Sequence, residues 1–365
     1  MQLPDRREPN MSSTPKKIVR FDLWIDPVFD QRLKSEPGLD LHIGAAAGSA
    51  EKGRALLSDA HVFHVSPAKD ELPPWLFVNT ELLARCPNLL CVSSGGAGYD
   101  TTDVAACTKA GVAVMNQAGG NADSVAEFTL GLMIDVSRRI NESDRRLRSE
   151  RGFSREDVMG HELRGKTIGL VGIGHIGRRV ARLAGAFGMH VIATDPYLTP
   201  EEIQRRGAQP GTMAEVLRLS DIVSLHCPRE KATLKLMDAA AFAAMKPGAI
   251  FLSTARGGIH DEVALSDAMQ SGHLGGAGLD VWEQEPPPLD HPLLGMNNVV
   301  ATFHTAGVSH EGRRNVASIA AEQIVAAMKG SRPPRLVNPE VWPAYAARFE
   351  RIFGFAVQHE QDSFE

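Results

Sequence analysis

Three residues suited to acid–base chemistry follow apolar runs in the second half of the chain. The run AIFLSTARGG, at 249–258, leads an apolar strand candidate directly into Arg256. GAGLDV, at 276–281, is followed by Glu285, and NVVATFH, at 298–304, ends in His304. A guanidinium left unpaired at the end of a core strand is costly, so Arg256 predicts an anion as its partner. An anion clamp, a titratable imidazole and a carboxylate beside it are the parts of a proton-transfer site.

The elements that carry these residues form an alternating series. Apolar β-rich runs alternate with helical patterns from Thr167 onward, which predicts βαβ units and a parallel sheet. The six strand candidates are TIGLVGI, HVIATD, DIVSLHC, AIFLSTA, GAGLDV and NVVATFH. Ligands of doubly wound folds bind outside the carboxyl ends of the strands. We therefore expect the three side chains, together with Asp280, to meet at one sheet edge.

A glycine motif lies at the start of this series. Gly172, Gly174 and Gly177 match GxGxxG between the strand candidate TIGLVGI and the helical run that follows. Asp195 ends the next strand about twenty residues later, as expected of a carboxylate that accepts the ribose hydroxyls of NAD. The weaker alternative is a βαβ unit without a ligand. A carboxylate at 195 would repel a 2′-phosphate, and Pro-Tyr-Leu-Thr after it offers no arginine, so NAD(H) is favoured over NADP(H).

The first third of the chain predicts a second α/β lobe. Its strand candidates are KKIVRFD, LDLHIG, HVFHV, NLLCVSS and VAVMNQ. A helix is predicted from about 121 to 150, starting either at Asn121 or at a capping box formed by Ser124 and Glu127. Another is predicted over 313–329. The expected organisation is a flexible leader (1–16), a discontinuous substrate-binding domain (17–120 and 307–345), an NAD-binding domain (121–306) and a C-terminal tail (346–365).

Composition excludes several classes of function. The chain has 365 residues, 43% of them hydrophobic, and a formal net charge of −5, which gives no basic excess for nucleic acid or an anionic membrane. No apolar run is long enough to span a bilayer. The four cysteines (Cys86, Cys91, Cys107 and Cys227) form no CxxC pair and no zinc spacing. These features predict a cytoplasmic protein without a metal or a disulfide framework.

Long motifs resemble one family. ELRGKTIGLVGIGHIG, ARGGIHDEVALSDAMQSGHLGGAGLDVWEQEP and FHTAG are similar to the D-isomer-specific 2-hydroxyacid dehydrogenases, and so is SSGGAGYDTTDVAACTKAGVAVMNQAGGNADSVAE upstream. The resemblance covers roughly residues 17–335. It implies an α/β fold of two lobes, with a doubly wound Rossmann domain inserted into a discontinuous flavodoxin-like domain. It also implies a homodimer built largely on the NAD lobe and the 121–150 helix.

The resemblance implies roles for matching positions. Arg256 would hold the substrate carboxylate and polarise its keto oxygen. His304 would be the general acid in reduction and the base in oxidation. Glu285 would bind that imidazole, favour its protonated form and fix its orientation. Asp280 would take the nicotinamide carboxamide.

Further positions are expected to bind the ligands. Backbone amides of Gly95, Gly96 and Ala97 would receive the substrate carboxylate from the opposite lobe. The predicted cofactor contacts are Gly172, Gly174, His175, Ile176, Gly177, Asp195, Cys227, Pro228, Thr254 and Asp280.

The predicted function is NAD(H)-dependent hydride transfer to and from C2 of a small D-2-hydroxy or 2-keto acid, in a crevice between the lobes. The alternative is an NAD-sensing, co-repressor-like binding protein of the same fold with little catalysis. A dehydrogenase of a non-carboxylate oxyanion, such as phosphonate, is a second alternative. The segment 66–80 matches no family pattern. His226 is interpreted as a packed histidine or part of the adenine wall, and Trp282 and Trp342 as core or a hydrophobic lid.

Overall fold

Parallel strands and helices alternate throughout the computed structural model, which describes residues 15–358. The described chain divides into two units. The first comprises the residues up to Gly120 together with those from Arg313 onward, and the second is Asn121–Gly312. Most of the predicted leader lies outside the described residues, although Lys16 already belongs to the first strand.

The first unit contains a five-stranded sheet in the order β2-β1-β3-β4-β5, parallel in every pairing. This is the flavodoxin-like strand order. Its elements are β1 Lys16–Phe21, α1 Val28–Lys34, β2 Leu39–Gly44, α2 Ala50–Leu57, β3 Val62–Val65, α3 Thr80–Arg85, β4 Cys91–Ser94, α4 Val104–Ala110 and β5 Ala113–Met115. β3, β4 and β5 are buried along their whole length, as expected of strands covered by helices on both faces.

The second unit contains a seven-stranded parallel sheet in the order β12-β11-β10-β9-β6-β7-β8. Six of its strands were predicted, and the two-residue edge strand β8 was not. The elements are α5 Ala122–Arg138, α6 Ile140–Ser149, β6 Thr167–Val171, α7 Gly177–Ala186, β7 His190–Thr194, α8 Pro200–Arg205, β8 Gln209–Pro210, α9 Met213–Leu219, β9 Ile222–Leu225, α10 Ala239–Ala243, β10 Ala249–Ser253, α11 Glu262–Gln270, β11 Leu274–Leu279 and β12 Val299–Ala301. The predicted doubly wound α/β architecture is confirmed.

The single helix predicted over 121–150 is wrong. It is broken at Arg139, which adopts a left-handed φ of 54° between α5 and α6. The side chain of Asp135 accepts the backbone N–H of Asn141, and the Arg139 guanidinium forks onto Glu142. The capping box is also wrong: Asn121 is the N-cap, and the hydroxyl of Ser124 bonds instead to that of Ser309 at 2.8 Å.

The chain ends in two further helices, α12 His310–Met328 and α13 Trp342–Phe353. Phe349 is fully buried, and Phe353 is 6% exposed. The ammonium group of Lys16 lies over both rings. The C-terminal tail predicted from residue 346 is therefore corrected, because the first eight of its residues complete a core helix. No helix within residues 15–358 is both long and apolar enough to cross a membrane.

Candidate active site

The glycine motif forms the turn between β6 and α7. Gly172 has a φ of 90°, and a Cβ there would lie 2.9 Å from the backbone nitrogen of Cys227. A Cβ on Gly177 would lie 2.4 Å from the carbonyl oxygen of Gly172. At Gly174, by contrast, a Cβ would meet no atom within 4 Å. Two glycines thus make the tight turn, and the third leaves open space where a phosphate group could approach the backbone.

Asp195 lies beside this turn, directly after β7. One carboxylate oxygen accepts the N–H of Ile173 at 3.0 Å, and the other accepts the N–H of Tyr197 at 3.1 Å. Each carboxylate oxygen retains a second lone pair. The side chain is therefore held in place with acceptor capacity left for the two hydroxyls of a ribose.

The other predicted cofactor residues have mixed environments. His175 is exposed, Ile176 is the N-cap of α7, and Pro228 is exposed beyond β9. Burial raises the pKa of the half-buried Cys227 thiol to about 11, so it is neutral at ordinary pH. Thr254 is 6% exposed, and its hydroxyl bonds to that of Thr129 on α5 at 3.1 Å.

His304 and Glu285 form a bonded pair within the second unit. Nδ1 of His304 lies 2.9 Å from Oε2 of Glu285. The imidazole is 35% exposed, and among the described residues its Nε2 has no hydrogen-bond partner. Since one ring nitrogen is fixed by the carboxylate, the other is available for proton transfer at the surface of this unit.

The environment of Glu285 keeps it ionised. Burial raises the pKa of this carboxyl, but the hydrogen bond and charge of His304 act in the opposite direction. The amide of Trp282 and the positive charge of Arg256 add to that lowering, so the pKa lies below its ordinary value. Arg256 lies just beyond β10, partly buried, with one guanidinium nitrogen donating to its neighbour's carbonyl at 2.7 Å. The three predicted catalytic side chains therefore belong to one sheet edge.

Asp280 binds the turn that carries His304. Its side chain is fully buried, and one oxygen accepts the hydroxyl of Thr302 at 2.7 Å and the N–H of Thr305 at 2.8 Å. The other oxygen accepts the N–H of Ala306 at 2.9 Å. This carboxylate supports the turn that carries His304, and its second oxygen, which accepts one bond, retains a lone pair. Its role toward a nicotinamide carboxamide stays a prediction.

The turn supported by Asp280 holds an unusual backbone geometry. His304 has a φ of 47°, a left-handed value that costs of order 1 kcal/mol or more in a residue other than glycine. Its own N–H donates to the carbonyl of Asp280 at 2.7 Å. Because buried bonds hold the turn on both sides of His304, the imidazole is presented in a fixed orientation.

The predicted carboxylate-binding residues Gly95, Gly96 and Ala97 lie in the first unit, after β4. The carbonyl of Gly96 accepts the N–H of Gln117 at 2.8 Å, and that of Ala97 accepts the side-chain amide of Asn116 at 2.9 Å. Within the described chain, the N–H groups of Gly96 and Ala97 have no acceptor. The carbonyls of Gly96 and Ala97 are tied into the unit and their N–H groups are left over, which is the arrangement of an anion-binding turn. The N–H of Gly95, by contrast, donates to the carbonyl of Val65 at 2.8 Å.

The sequence left the role of Trp282 undecided between core and lid. It predicted no functional role for Asn116, Glu262 or His291. Trp282 is 3% exposed, and its indole N–H donates to the carbonyl of Thr302 at 3.0 Å. These residues act through buried hydrogen bonds between segments distant in sequence. No motif spacing could reveal such bonds.

The fold and the site define a Rossmann-type dinucleotide-binding protein with an imidazole–carboxylate pair and an arginine at the ligand edge of its sheet. Residues 130–306 match the family model described as "D-isomer specific 2-hydroxyacid dehydrogenase, NAD binding domain". The chain belongs to the D-isomer-specific 2-hydroxyacid dehydrogenase family. The predicted family and NAD as its cofactor are confirmed.

Relatives and solved structures agree on the family and differ in their named substrates. The chain is 40% identical over 268 residues to the D-3-phosphoglycerate dehydrogenase of Archaeoglobus fulgidus, covering 73% of this chain and 51% of that one. It is 41% identical over 248 residues to the (S)-sulfolactate dehydrogenase of Chromohalobacter salexigens, covering 68% and 80%. The crystal structure of a glyoxylate reductase from Paecilomyes thermophila matches with a TM-score of 0.80 at 27% identity, covering 90% and 99%. The chain spans about half the length of the phosphoglycerate dehydrogenases it matches.

Proposed function

We propose that this protein is an NAD(H)-dependent oxidoreductase that interconverts a small 2-keto acid and the corresponding D-2-hydroxy acid. The observation that carries the proposal is the His304–Glu285 pair, with Nε2 of the imidazole unpartnered within the described residues, at the sheet edge that also carries Arg256. A proton donor beside a cation suits a substrate whose oxygen gains a proton and whose carboxylate is anionic. Family membership supports the same chemistry.

The chain's own residues would divide the work as follows. His304 would deliver the proton from Nε2 to the keto oxygen in reduction and remove it in oxidation. Glu285 would stabilise the imidazolium and hold Nδ1. Arg256 would bind the substrate carboxylate through its planar fork and polarise the keto oxygen. When bound by the 172–177 turn, NAD(H) supplies or accepts the hydride.

The second unit would hold the cofactor together with the three catalytic residues, and the first unit would supply further substrate contacts. We assign cofactor binding to 121–306 and substrate binding to 17–120 with 307–345. The unpaired amides of Gly96 and Ala97 support an anion site in the first unit. The Asp195 carboxylate, which would repel a 2′-phosphate, supports NAD over NADP.

We further propose a homodimer in the cytoplasm. Ile140 and Leu147 on α6 are 52% and 62% exposed, and Met159 beyond it is 71% exposed. Apolar side chains so exposed on one segment favour burial against a second copy. The four free cysteines, three of them buried, suit a reducing compartment.

The test is oxidation of NADH, followed by absorbance, with glyoxylate, hydroxypyruvate, pyruvate, phenylpyruvate and 3-phosphohydroxypyruvate. Turnover of one or more of these is expected, with recovery of the D-2-hydroxy acid from every substrate except glyoxylate, whose product is achiral. Tight NADH binding without any turnover would instead support an NAD-sensing protein.

A further inference from the structure

A largely buried, hydrogen-bonded carboxylate–imidazole pair, Glu262 and His291, lies next to the segment that carries Glu285. Glu262, in the first turn of α11, is 8% exposed. One of its carboxylate oxygens accepts the N–H of Glu283 at 2.6 Å. The other lies 3.0 Å from Nε2 of His291, whose side chain is 13% exposed.

The hydrogen bonds of His291 define its protonation pattern. Its Nδ1 accepts the N–H of Leu293 at 3.3 Å, so the proton on Nε2 is the one directed at Glu262. The ring also packs edge-on against Trp282, with centroids 5.4 Å apart. Both nitrogens and one ring edge of His291 are therefore used, and the imidazole is fixed in place.

Trp282 and Glu283, the residues held by this pair, open the segment that carries Glu285. The N–H of Trp282 donates to Oε1 of Glu285 at 3.1 Å, while the opposite oxygen binds His304. A Cβ on Gly257 would lie 1.7 Å from the carbonyl oxygen of Trp282, so the backbone after Arg256 packs directly on this segment. Segment 282–285 thus carries Glu285, bonds to His304 and packs against the residue that follows Arg256.

A gain in folding stability does not explain why Glu262 and His291 are buried together. Burial raises the pKa of Glu262, and the Glu283 amide and His291 only partly offset it. A buried ion pair is often no more stabilising than well-packed apolar residues of the same volume. The pair provides directional hydrogen bonds, because the Glu262 carboxylate fixes the Glu283 amide and the His291 imidazole at once.

We propose that Glu262 and His291 are positioning residues that clamp segment 282–285, so that the Glu285 carboxylate meets both the Trp282 amide and the His304 imidazole. The inference deepens the proposed function and rests on it. Neither residue transfers a proton to substrate. Each acts through Glu285 and the backbone of 282–283.

The matched comparison is a buried glutamate elsewhere in the same unit. Glu142, on α6, is 6% exposed and is paired with Arg139 at 2.7 Å. Glu262→Ala and Glu142→Ala each remove a buried carboxylate from its partner. Only the first should disturb segment 282–285. Glu262→Gln keeps the volume and an oxygen for the Glu283 amide, so it serves both as the rescue variant and as the folded substitute if Glu262→Ala does not fold.

Two readouts separate this inference from the proposed function. The first is hydrogen exchange of the backbone amides of residues 281–285, which needs no activity. The second is NADH-dependent keto-acid reduction. Glu262→Ala should speed exchange in this segment and lower kcat about tenfold, while the KM for keto acid stays within about twofold, since misplacement of a catalytic group acts mainly on the chemical step. Glu262→Gln should restore most of both, and Glu142→Ala should change neither.

Equal exchange at 281–285 in wild type and both Glu262 variants would overturn the inference, whatever the activity. Faster exchange with an unchanged kcat in an active enzyme would also overturn it, because the clamp would then not serve catalysis. If wild type reduces no keto acid, the proposed function fails, and the exchange comparison still decides whether Glu262 holds the segment.

Discussion

Nδ1 of His304 lies 2.9 Å from a carboxylate oxygen of Glu285, across 19 residues of sequence. The bond joins the loop after β11 to the turn after β12, and it leaves Nε2 as the nitrogen for the proposed proton transfer. The second oxygen of Glu285 is held by the Trp282 amide. A carboxylate fixed at both oxygens can orient an imidazole and stabilise its charged form.

Removing the charge of Glu285 should slow turnover more than it weakens binding. Glu285→Gln keeps the shape and one hydrogen-bond acceptor but cannot balance an imidazolium. We expect kcat for keto-acid reduction to fall about 10- to 100-fold, while NADH affinity changes little. Steady-state kinetics and NADH fluorescence titration measure the two. A variant as fast as wild type would remove Glu285 from the mechanism.

Asp195 should govern the choice of cofactor. Asp195→Asn leaves a hydrogen-bonding side chain beside the turn but removes the charge that binds ribose and repels a 2′-phosphate. We expect kcat/KM for NADH to fall about tenfold or more and the NADH-to-NADPH preference to shrink by a similar factor. The same assay with each cofactor checks this. An unaltered preference would mean that selectivity resides elsewhere.

His260 should destabilise the protein at mildly acidic pH. Its ring is fully buried against Phe251, and among the described residues neither of its nitrogens has a hydrogen-bond partner. Burial lowers its pKa to about 4 from an ordinary 6.5, with lesser opposition from Asp261. A base with a depressed folded-state pKa contributes stability above pH 6.5, and this is lost as pH falls toward 4. The slope is about 1.4 kcal/mol per pH unit for each such group.

His260→Leu should therefore stabilise the fold. Replacing an unsatisfied imidazole by an apolar side chain of similar size should gain about 1 kcal/mol or more at pH 7.5 and a larger amount at pH 5. Urea unfolding at the two pH values measures this. His64 and His226, whose pKa values burial lowers to about 3 and about 4, should keep a residual acid slope in the variant. His190→Gln, at an exposed position, is the control; equal gains at both pH values would contradict the assignment.

The proposed dimer should depend on α6. Leu147→Glu introduces a charge at an apolar position that is 62% exposed. We expect the mass measured by light scattering after gel filtration to fall from dimer to monomer, or to a concentration-dependent mixture. Leu289→Glu, at a 99% exposed position away from α6, should leave the mass unchanged. A monomeric wild type, or a dimer that survives Leu147→Glu, would place the interface elsewhere or remove it.

The predictions from sequence were most accurate where a local pattern sets the structure. Alternating apolar runs identified eleven of the twelve strands, because buried parallel strands are nearly continuous in apolar residues. The edge strand β8 has two residues and no such signal. The break at Arg139 was missed because helix propensity is high on both sides, and the bonds of Asp135 and Glu142 that stabilise it have no sequence signal.

Within the site, residue types and their positions at strand ends predicted that Arg256, Glu285 and His304 lie at one sheet edge. The bonds of Asp280 to the turn after β12 were not predicted, because a carboxylate at a strand end has the same sequence signal whether it faces a ligand or the donors of a neighbouring turn. The Glu262–His291 pair had no signal at all. A glutamate in the first turn of a helix already has a sufficient explanation in the helix dipole.

His304→Gln tests whether His304 is the proton donor in keto-acid reduction. Gln keeps a polar side chain but cannot transfer a proton, so single-turnover reduction with saturating NADH isolates the chemical step. We expect the single-turnover rate of keto-acid reduction to fall about 10²- to 10⁴-fold, with NADH affinity within about twofold of wild type. A variant that reduces keto acid at the wild-type rate would contradict it.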